Sequence, residues 1–200
     1  MSLMKTIALD FDDVVMNFNS GFVNFHNLSY GTNLTYEELV RYDDWEVVYG
    51  CSKEAMVERA REFYRSPHHL EVVPILGAVE AILKLASRHR LEIVTSRPET
   101  VREQVLTWLN RHLPETFKEI HFTNGFAGMA GSIKRAKSEI CREIGAHAFV
   151  DDALTHAEDV ARAGIPVLLP DRPWNRDRTP DGVIRVKTWD DIVKWTEKNL

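Results

Sequence analysis

Cysteine is scarce in this chain: Cys51 and Cys141 are the two it has, too few for a disulfide framework. Cys141 falls on the apolar face of a helical pattern, where a thiol behaves as a small buried hydrophobe. No redox role is expected. Long apolar runs are also missing; none approaches the roughly 18 residues of a membrane span, and the N-terminus lacks the apolar core of a secretory signal. A cytoplasmic protein is expected, with Met4 as the natural start behind Met1-Ser2-Leu3. Positive charge is not in excess, because 25 Lys and Arg face 30 Asp and Glu, for a net charge of −5. This speaks against a nucleic-acid polymer or an anionic membrane as partner, since either leaves a basic footprint. Eight histidines show none of the His and Cys spacing that zinc requires. The glycines at 125, 128 and 131 match no phosphate-loop pattern and suit a flexible connection.

What the chain does have is a short apolar run, Ile7-Ala8-Leu9, that ends in Asp10-Phe11-Asp12-Asp13. An apolar run bounded by polar residues reads as a buried strand, and in open α/β sheets the ligand crevice lies at the carboxyl ends of the strands. Alternation along an extended chain puts Asp10 and Asp12 on one side, with Phe11 turned into packing. Like charges this close need a cation or a shared proton. A solvated acidic turn is the plainer alternative.

Two further strand patterns end the same way. Leu91-Glu92-Ile93-Val94 runs into Thr95-Ser96-Arg97, and Ala148-Phe149-Val150 runs into Asp151-Asp152. Between them Lys137 opens an amphipathic helical stretch. From Pro74 onward helical and extended segments alternate: helix from Leu76 to Arg88 and from Glu99 to His112, strand from Glu119 to Phe122, helix from Leu154 to Ala163, strand from Pro166 to Leu169, strand from Val183 to Val186, helix from Asp190 to Lys198. That rhythm predicts a doubly wound, Rossmann-like parallel α/β sheet. Residues 16 to 73 break it, with helical patterns starting near Asn17 and again from Glu54 to Phe63. Trp174, in the connection before the last strand, reads as a packing anchor.

Strand ends carrying Asp-x-Asp, then Thr, then a helix-opening Lys, then Asp-Asp resemble the four motifs of the haloacid dehalogenase-like phosphohydrolase superfamily in their usual order. The set spans nearly the whole chain. The resemblance implies a core of residues 1–15 and 74–200 with a helical cap, 16–73, inserted after the first strand to cover the site and select the substrate. Adjacent His68 and His69 would point apart there and read as cap or hinge residues.

The mechanism implied by the resemblance makes Asp10 the nucleophile, forming an aspartyl-phosphate, and Asp12 the proton donor to the leaving alcohol and later the acceptor from water. The metal is expected to be Mg²⁺, a hard cation that takes oxygen ligands, held by Asp10, the Asp12 backbone carbonyl and Asp152. Asp151 is placed in the second position, touching the metal through water or not at all. Thr95 and Ser96 would donate to phosphoryl oxygens and Lys137 would neutralise their charge, with Arg97 either a further phosphate contact or the partner of a nearby acid. Taken singly, each has a plain alternative: Thr95 as a helix N-cap, Asp151 and Asp152 as acids at a helix start, Lys134 in place of Lys137.

The segments Asp10-Phe11-Asp12-Asp13-Val14-Val15-Met16-Asn17-Phe18 and Pro74-Ile75-Leu76-Gly77-Ala78-Val79-Glu80-Ala81 resemble the 5′(3′)-deoxyribonucleotidase branch. In that branch cap aromatics stack on the base, which makes Phe18, Phe25, Tyr42 and Trp45 the substrate-selecting candidates, with packing in the cap's own core the plainer reading of any one of them. The expected partner is a small phosphorylated metabolite, a nucleoside monophosphate first and a sugar phosphate as the alternative, with oligomeric state left open. Asp13 departs from the family's usual Gly, and Asn17 from an acid common in related nucleotidases. A signalling receiver domain also gathers acids, Thr and Lys around Mg²⁺, but it ends with the Lys, whereas here an acidic pair follows it. A catalytically silent binding protein on the same fold is the third reading.

Overall fold

The computed structural model describes residues 4–41, 45–125 and 133–200, with the backbone alone at Trp45. Among these, six strands form one parallel sheet: β1 (Thr6–Leu9), β2 (Arg90–Thr95), β3 (Ile120–Phe122), β4 (Ala146–Val150), β5 (Val167–Pro170) and β6 (Val183–Val186), in the order β3-β2-β1-β4-β5-β6. The chain leaves β1 toward one edge and later returns to its other side at β4. That reversal opens a crevice at the carboxyl ends of β1 and β4. The Asp10 amide, bonded to the Val150 carbonyl at 2.8 Å, ties the two strand ends together there.

Period-two alternation sorts the strand side chains between two faces. Ala8, Val94, Phe149 and Val167 pack with Ile140, Cys141, Ala157 and Val160 under α7 (Lys137–Glu143) and α8 (Leu154–Arg162). Ile7, Leu9, Ile93 and Val150 turn the other way, toward α5 (Ala78–Ala86), α6 (Arg102–His112) and α9 (Trp189–Asn199). Both faces are covered, which is why the central strands read as continuous apolar runs. The helices are shorter than their patterns: α5 starts at Ala78 rather than Leu76, and a 3₁₀ turn over Glu99–Val101 precedes α6. Strand β5 runs through Pro170 instead of stopping before it, since Pro170 is the strand's last residue and still pairs in register with Val186.

Four helices come from the segment after β1: α1 (Phe18–Tyr30), α2 (Trp45–Tyr49), α3 (Lys53–Arg65) and α4 (Pro67–Glu71). Ser52 caps α3 by accepting the Ala55 amide, and Gly31 ends α1 in the left-handed conformation that glycine adopts without strain. Their apolar faces meet in a cluster of rings, with Phe63 5.3 Å from Phe22 and 5.2 Å from Phe25. Gly21 is where α1 passes the returning chain; a Cβ there would sit 2.4 Å from Val72 Cγ2. The outgoing and returning limbs pair at Met16 and Pro74, and the Trp108 indole donates to the Val72 carbonyl at 2.6 Å. No described helix is long and apolar enough to cross a membrane.

Candidate active site

Because β1, β2 and β4 end side by side, their next residues converge on a cavity of about 710 Å³ whose floor includes Asp10, Asp12, Lys137 and Asp152. Phe11 faces away, fully buried and edge-on to Trp108 at 5.3 Å. Lys137 opens α7 with its ammonium 2.9 Å from Asp10 Oδ1 and 2.7 Å from Asp151 Oδ2, all three groups out of solvent. The contact to Asp151 is an aligned hydrogen bond, whereas Asp10 Oδ1 receives no aligned donor. Between the two lysines open from the sequence, Lys137 is the one buried among the acids; Lys134 lies on the cavity wall with an exposed side chain.

Burial pushes the Asp10 carboxyl up to about 6, with Lys137 opposing and the Asp151 and Asp12 charges reinforcing. Burial also acts on Asp151, yet the charges of Lys137 and His156 overcome it and hold the group down to about 2. Asp152 is raised well above the carboxylate range by burial and by Asp151, Asp13 and Asp10. Its Oδ2 accepts the Trp174 indole N–H at 2.8 Å, and the Asn175 amide holds its backbone carbonyl at 2.8 Å. Trp174 is therefore more than the packing anchor expected of it. Nothing in the sequence distinguishes an indole that packs from one whose N–H also reaches a carboxylate.

Asp13 stands at φ 54° and is buried, its carboxylate accepting the Asn19 amide at 3.2 Å and the Asn19 side chain at 2.7 Å. It caps the first turn of α1, and this bond compensates for an aspartate in a conformation that glycine takes freely. Burial, then the Asp12 charge, pushes its carboxyl up to about 8. Arg172 donates twice to the Asp13 carbonyl, at 3.0 and 2.7 Å.

Of the two readings open for Arg97, phosphate contact or partner of a nearby acid, the structure shows the second: its fork goes to Asp12, Nε to Oδ2 at 2.9 Å and Nη2 to Oδ1 at 2.7 Å. Ser96 reaches the cavity wall, whereas Thr95 is fully buried and its Oγ1 accepts the Arg97 amide at 3.2 Å. Of the aromatic candidates, Phe18 lines the cavity. Phe25 does not; it lies two turns further along α1, inside the ring cluster. Tyr42 and the Trp45 side chain lie outside the described residues, as do residues 126–132 of the glycine-containing loop. Phe22, Tyr49 and Tyr64 line the cavity instead, although helical periodicity marks them only as apolar.

The acids fit a divalent cation. Ligand atoms of Asp10, Asp151 and Asp152 lie within 4.8 Å of one another. Asp10, Asp12, Asp13, Asp151 and Asp152 outnumber Lys137, Arg97 and Arg172 by two, so the group holds more carboxylates than these three cations can balance. An oxygen-only donor set matches Mg²⁺ rather than a softer metal. The other grouping among the described residues, Glu92, Glu119 and His121, has its buried Glu92 already in an ion pair with Arg90 and hydrogen-bonded with His121.

A sheet of this order, with an acid pair after β1, a lysine opening the helix before β4 and two acids after β4, has the haloacid dehalogenase-like fold, and the family model that matches it makes the class a phosphoric monoester hydrolase. The chain belongs to the family of the 5′ nucleotidase, deoxy (pyrimidine), cytosolic type C protein (NT5C), whose family model matches residues 4–197. It is 25% identical over 201 residues to "Putative nucleotidase BH1399" of Halalkalibacterium halodurans, spanning 98% of this chain and 94% of that protein. Among solved structures it is similar to a haloacid dehalogenase-like family hydrolase from Streptococcus pneumoniae, with a TM-score of 0.69, 14% identity and coverage of 98% and 100% of the two chains. It is also similar to "the putative HAD-hydrolase YfnB from Bacillus subtilis bound to magnesium", with a TM-score of 0.62, 15% identity and coverage of 96% and 98%.

Proposed function

We propose that the protein is a Mg²⁺-dependent nucleotidase that hydrolyses nucleoside monophosphates through an aspartyl-phosphate on Asp10. One observation carries the reading: the Asp10 carboxylate, Lys137 and Asp152 lie on the floor of a cavity whose wall includes Phe18, Phe22, Tyr49 and Tyr64, with Asp151 bonded behind to Lys137. Phosphate monoesters hydrolyse so slowly in water that nucleophile, proton donor and charge stabilisation must act together. Asp10 Oδ attacks phosphorus while the ester P–O bond breaks, and Asp12 passes a proton to the departing alcohol oxygen. Water then attacks the phosphorus of the acyl phosphate and loses a proton to Asp12, releasing inorganic phosphate and the Asp10 carboxylate. Lys137 neutralises charge on the phosphoryl oxygens, with Ser96, on the cavity wall just after β2, as a hydroxyl donor.

The metal would be held by Asp10, the Asp12 carbonyl and Asp152, with Asp151 behind them bonded to Lys137 and to the Ala153 amide. Its chemistry is to cancel charge between carboxylates and phosphate so that the nucleophile and the dianion can approach. That YfnB was solved with magnesium supports the choice of ion.

Residues 16–73 act as the cap in this reading, bringing Phe18, Phe22, Tyr49 and Tyr64 over the floor as a surface for a base. The family match and the nucleotidase-named relative favour a nucleotide over a sugar phosphate. Two free cysteines, one buried, suit a reducing cytoplasm. Phosphate release from a panel of ribo- and deoxyribonucleoside monophosphates and sugar phosphates tests the assignment. A higher kcat/KM for at least one nucleotide is expected, and a uniform preference for sugar phosphates would overturn it.

A further inference from the structure

Arg97 is the most fully engaged charged side chain at the site. It is 1% exposed, and each guanidinium nitrogen has a partner: Nε and Nη2 on the two Asp12 oxygens, Nη2 also 3.1 Å from Met16 Sδ, and Nη1 2.9 Å from His69 Nε2. Three rings surround its central carbon, Phe11 at 4.7 Å, Tyr64 at 5.0 Å and Phe18 at 5.1 Å. Burial first, and then the Arg97 charge, lowers His69 to about 3, so its Nε2 accepts from Arg97 rather than competing for Asp12.

Asp12, by contrast, is the partly open member of the acid group, at 25% side-chain exposure. A short carboxylate at a loop position has freedom about its side-chain bonds, and proton transfer requires it within hydrogen-bond reach of the reacting oxygen. A two-pronged fork from a caged guanidinium removes that freedom, because it sets both the place and the plane of the carboxylate. A lysine ammonium is a point charge and cannot do the same. A guanidinium held on four sides is also poorly placed to turn toward an incoming phosphate.

We infer that Arg97 is a positioning residue: it does not bind the phosphoryl group but holds the Asp12 carboxylate where it exchanges protons with the leaving oxygen and with water. The inference rests on the aspartyl-phosphate reading above. In the resting pair both Asp12 oxygens accept from Arg97, which fixes the group where the second step needs it to take the proton from water as the water oxygen bonds to phosphorus. That step should suffer most when the fork is lost and the leaving group is a good one.

The test is pre-steady-state hydrolysis of p-nitrophenyl phosphate with Mg²⁺, comparing the wild type with Arg97→Gln, Arg97→Lys and Asp12→Asn. p-Nitrophenolate departs with little protonation, so Arg97→Gln should still form the intermediate and then release it slowly. The expected result is a burst of about one p-nitrophenolate per active site, a covalent phosphoryl adduct visible by intact mass, and a steady-state rate lowered about 100-fold, within the range of general acid–base catalysis. The Michaelis constant should not rise. Arg97→Lys, which keeps the charge and the better chance of folding, should burst in the same way. A wild-type steady-state rate without a burst in Arg97→Lys, or a burst-free loss in either folded Arg97 variant with a raised KM, would overturn the positioning role and return Arg97 to phosphate binding. Asp12→Asn separates the two levels: a burst there with none in the Arg97 variants sinks only this inference, whereas no burst and no adduct in Asp12→Asn sinks the underlying mechanism.

Discussion

Lys137 Nζ lies 2.9 Å from Asp10 Oδ1, and neither side chain meets solvent to any extent. The pair joins the first residue of α7 to the first residue after β1, so a helix start and a strand end are positioned by one contact. Burial alone would depress the lysine, but Asp10 and Asp151 hold its pKa above the ordinary value, which keeps the ammonium charged at any working pH. Replacing Lys137 by Ala should lower phosphatase activity by about 10²–10³, the cost of removing one preorganised charge-stabilising donor. It should also destabilise the fold by roughly 3–5 kcal/mol by leaving buried acids unpaired. Phosphate release and urea denaturation measure the two effects. Retained activity in a folded variant would shift the role to Lys134.

Asp10→Asn should abolish turnover while preserving the fold, because an amide is a poor nucleophile. In the absence of metal it should be at least as stable as the wild type at neutral pH. The buried carboxyl titrates near 6 in the folded chain against an ordinary 3.8, so its ionisation disfavours folding progressively as the pH rises between those values. Thermal melts from pH 4 to 7 with chelator present would show this, and near-normal turnover in the folded variant would refute the nucleophile.

Mg²⁺ should stabilise the wild type by about 2.7 kcal/mol at a hundredfold excess over its dissociation constant. Asp152→Asn should lose most of that increment, since it removes a proposed ligand while keeping the side-chain size and an acceptor for Trp174. Isothermal titration calorimetry checks both proteins. Equal Mg²⁺ affinity in the two would place the ion elsewhere.

His69 should make stability fall in acid. Its folded pKa, about 3, lies below the ordinary 6.5, so the unfolded chain takes up a proton that the folded chain refuses. The penalty is absent above pH 6.5 and grows by up to about 1.4 kcal/mol per pH unit as the pH falls toward 3. His69→Gln should flatten that slope. Denaturation at pH 7 and pH 5 tests it, and an unchanged slope would show that other groups dominate.

Phe18 lies between the ring cluster and the cavity, 6.0 Å from Phe22 and stacked parallel to it. If it stacks on a base, Phe18→Ala should lower kcat/KM for nucleotides by roughly the 1–3 kcal/mol of one such contact. Hydrolysis of p-nitrophenyl phosphate should change far less. Equal losses on both substrates would mark Phe18 as part of the packing alone.

Much of the cavity floor was legible in the chain because strand ends are local events. Apolar runs at residues 7–9, 91–94 and 148–150 end in the polar groups that reach the crevice, and these ends share one place because parallel strands bring their carboxyl ends to the same edge. Lys137 was legible as a helix opener for the same reason. The doubly wound sheet follows from that pattern, and the class of chemistry from the resemblance that the ordered motifs carry.

Only the tertiary structure decided what each side chain holds. Arg97 and Asp12 are 85 positions apart, as their bond requires the sheet, and Trp174 meets Asp152 from a loop beyond β5. Nor could helical periodicity separate Phe18, on the cavity, from Phe25, inside the ring cluster, because both belong to one apolar stripe and differ only in height along α1. Periodicity specifies which face of an element is buried. Which long-range partner waits on that face depends on three-dimensional packing, where hydrogen-bond direction and separations of a few ångströms decide the outcome.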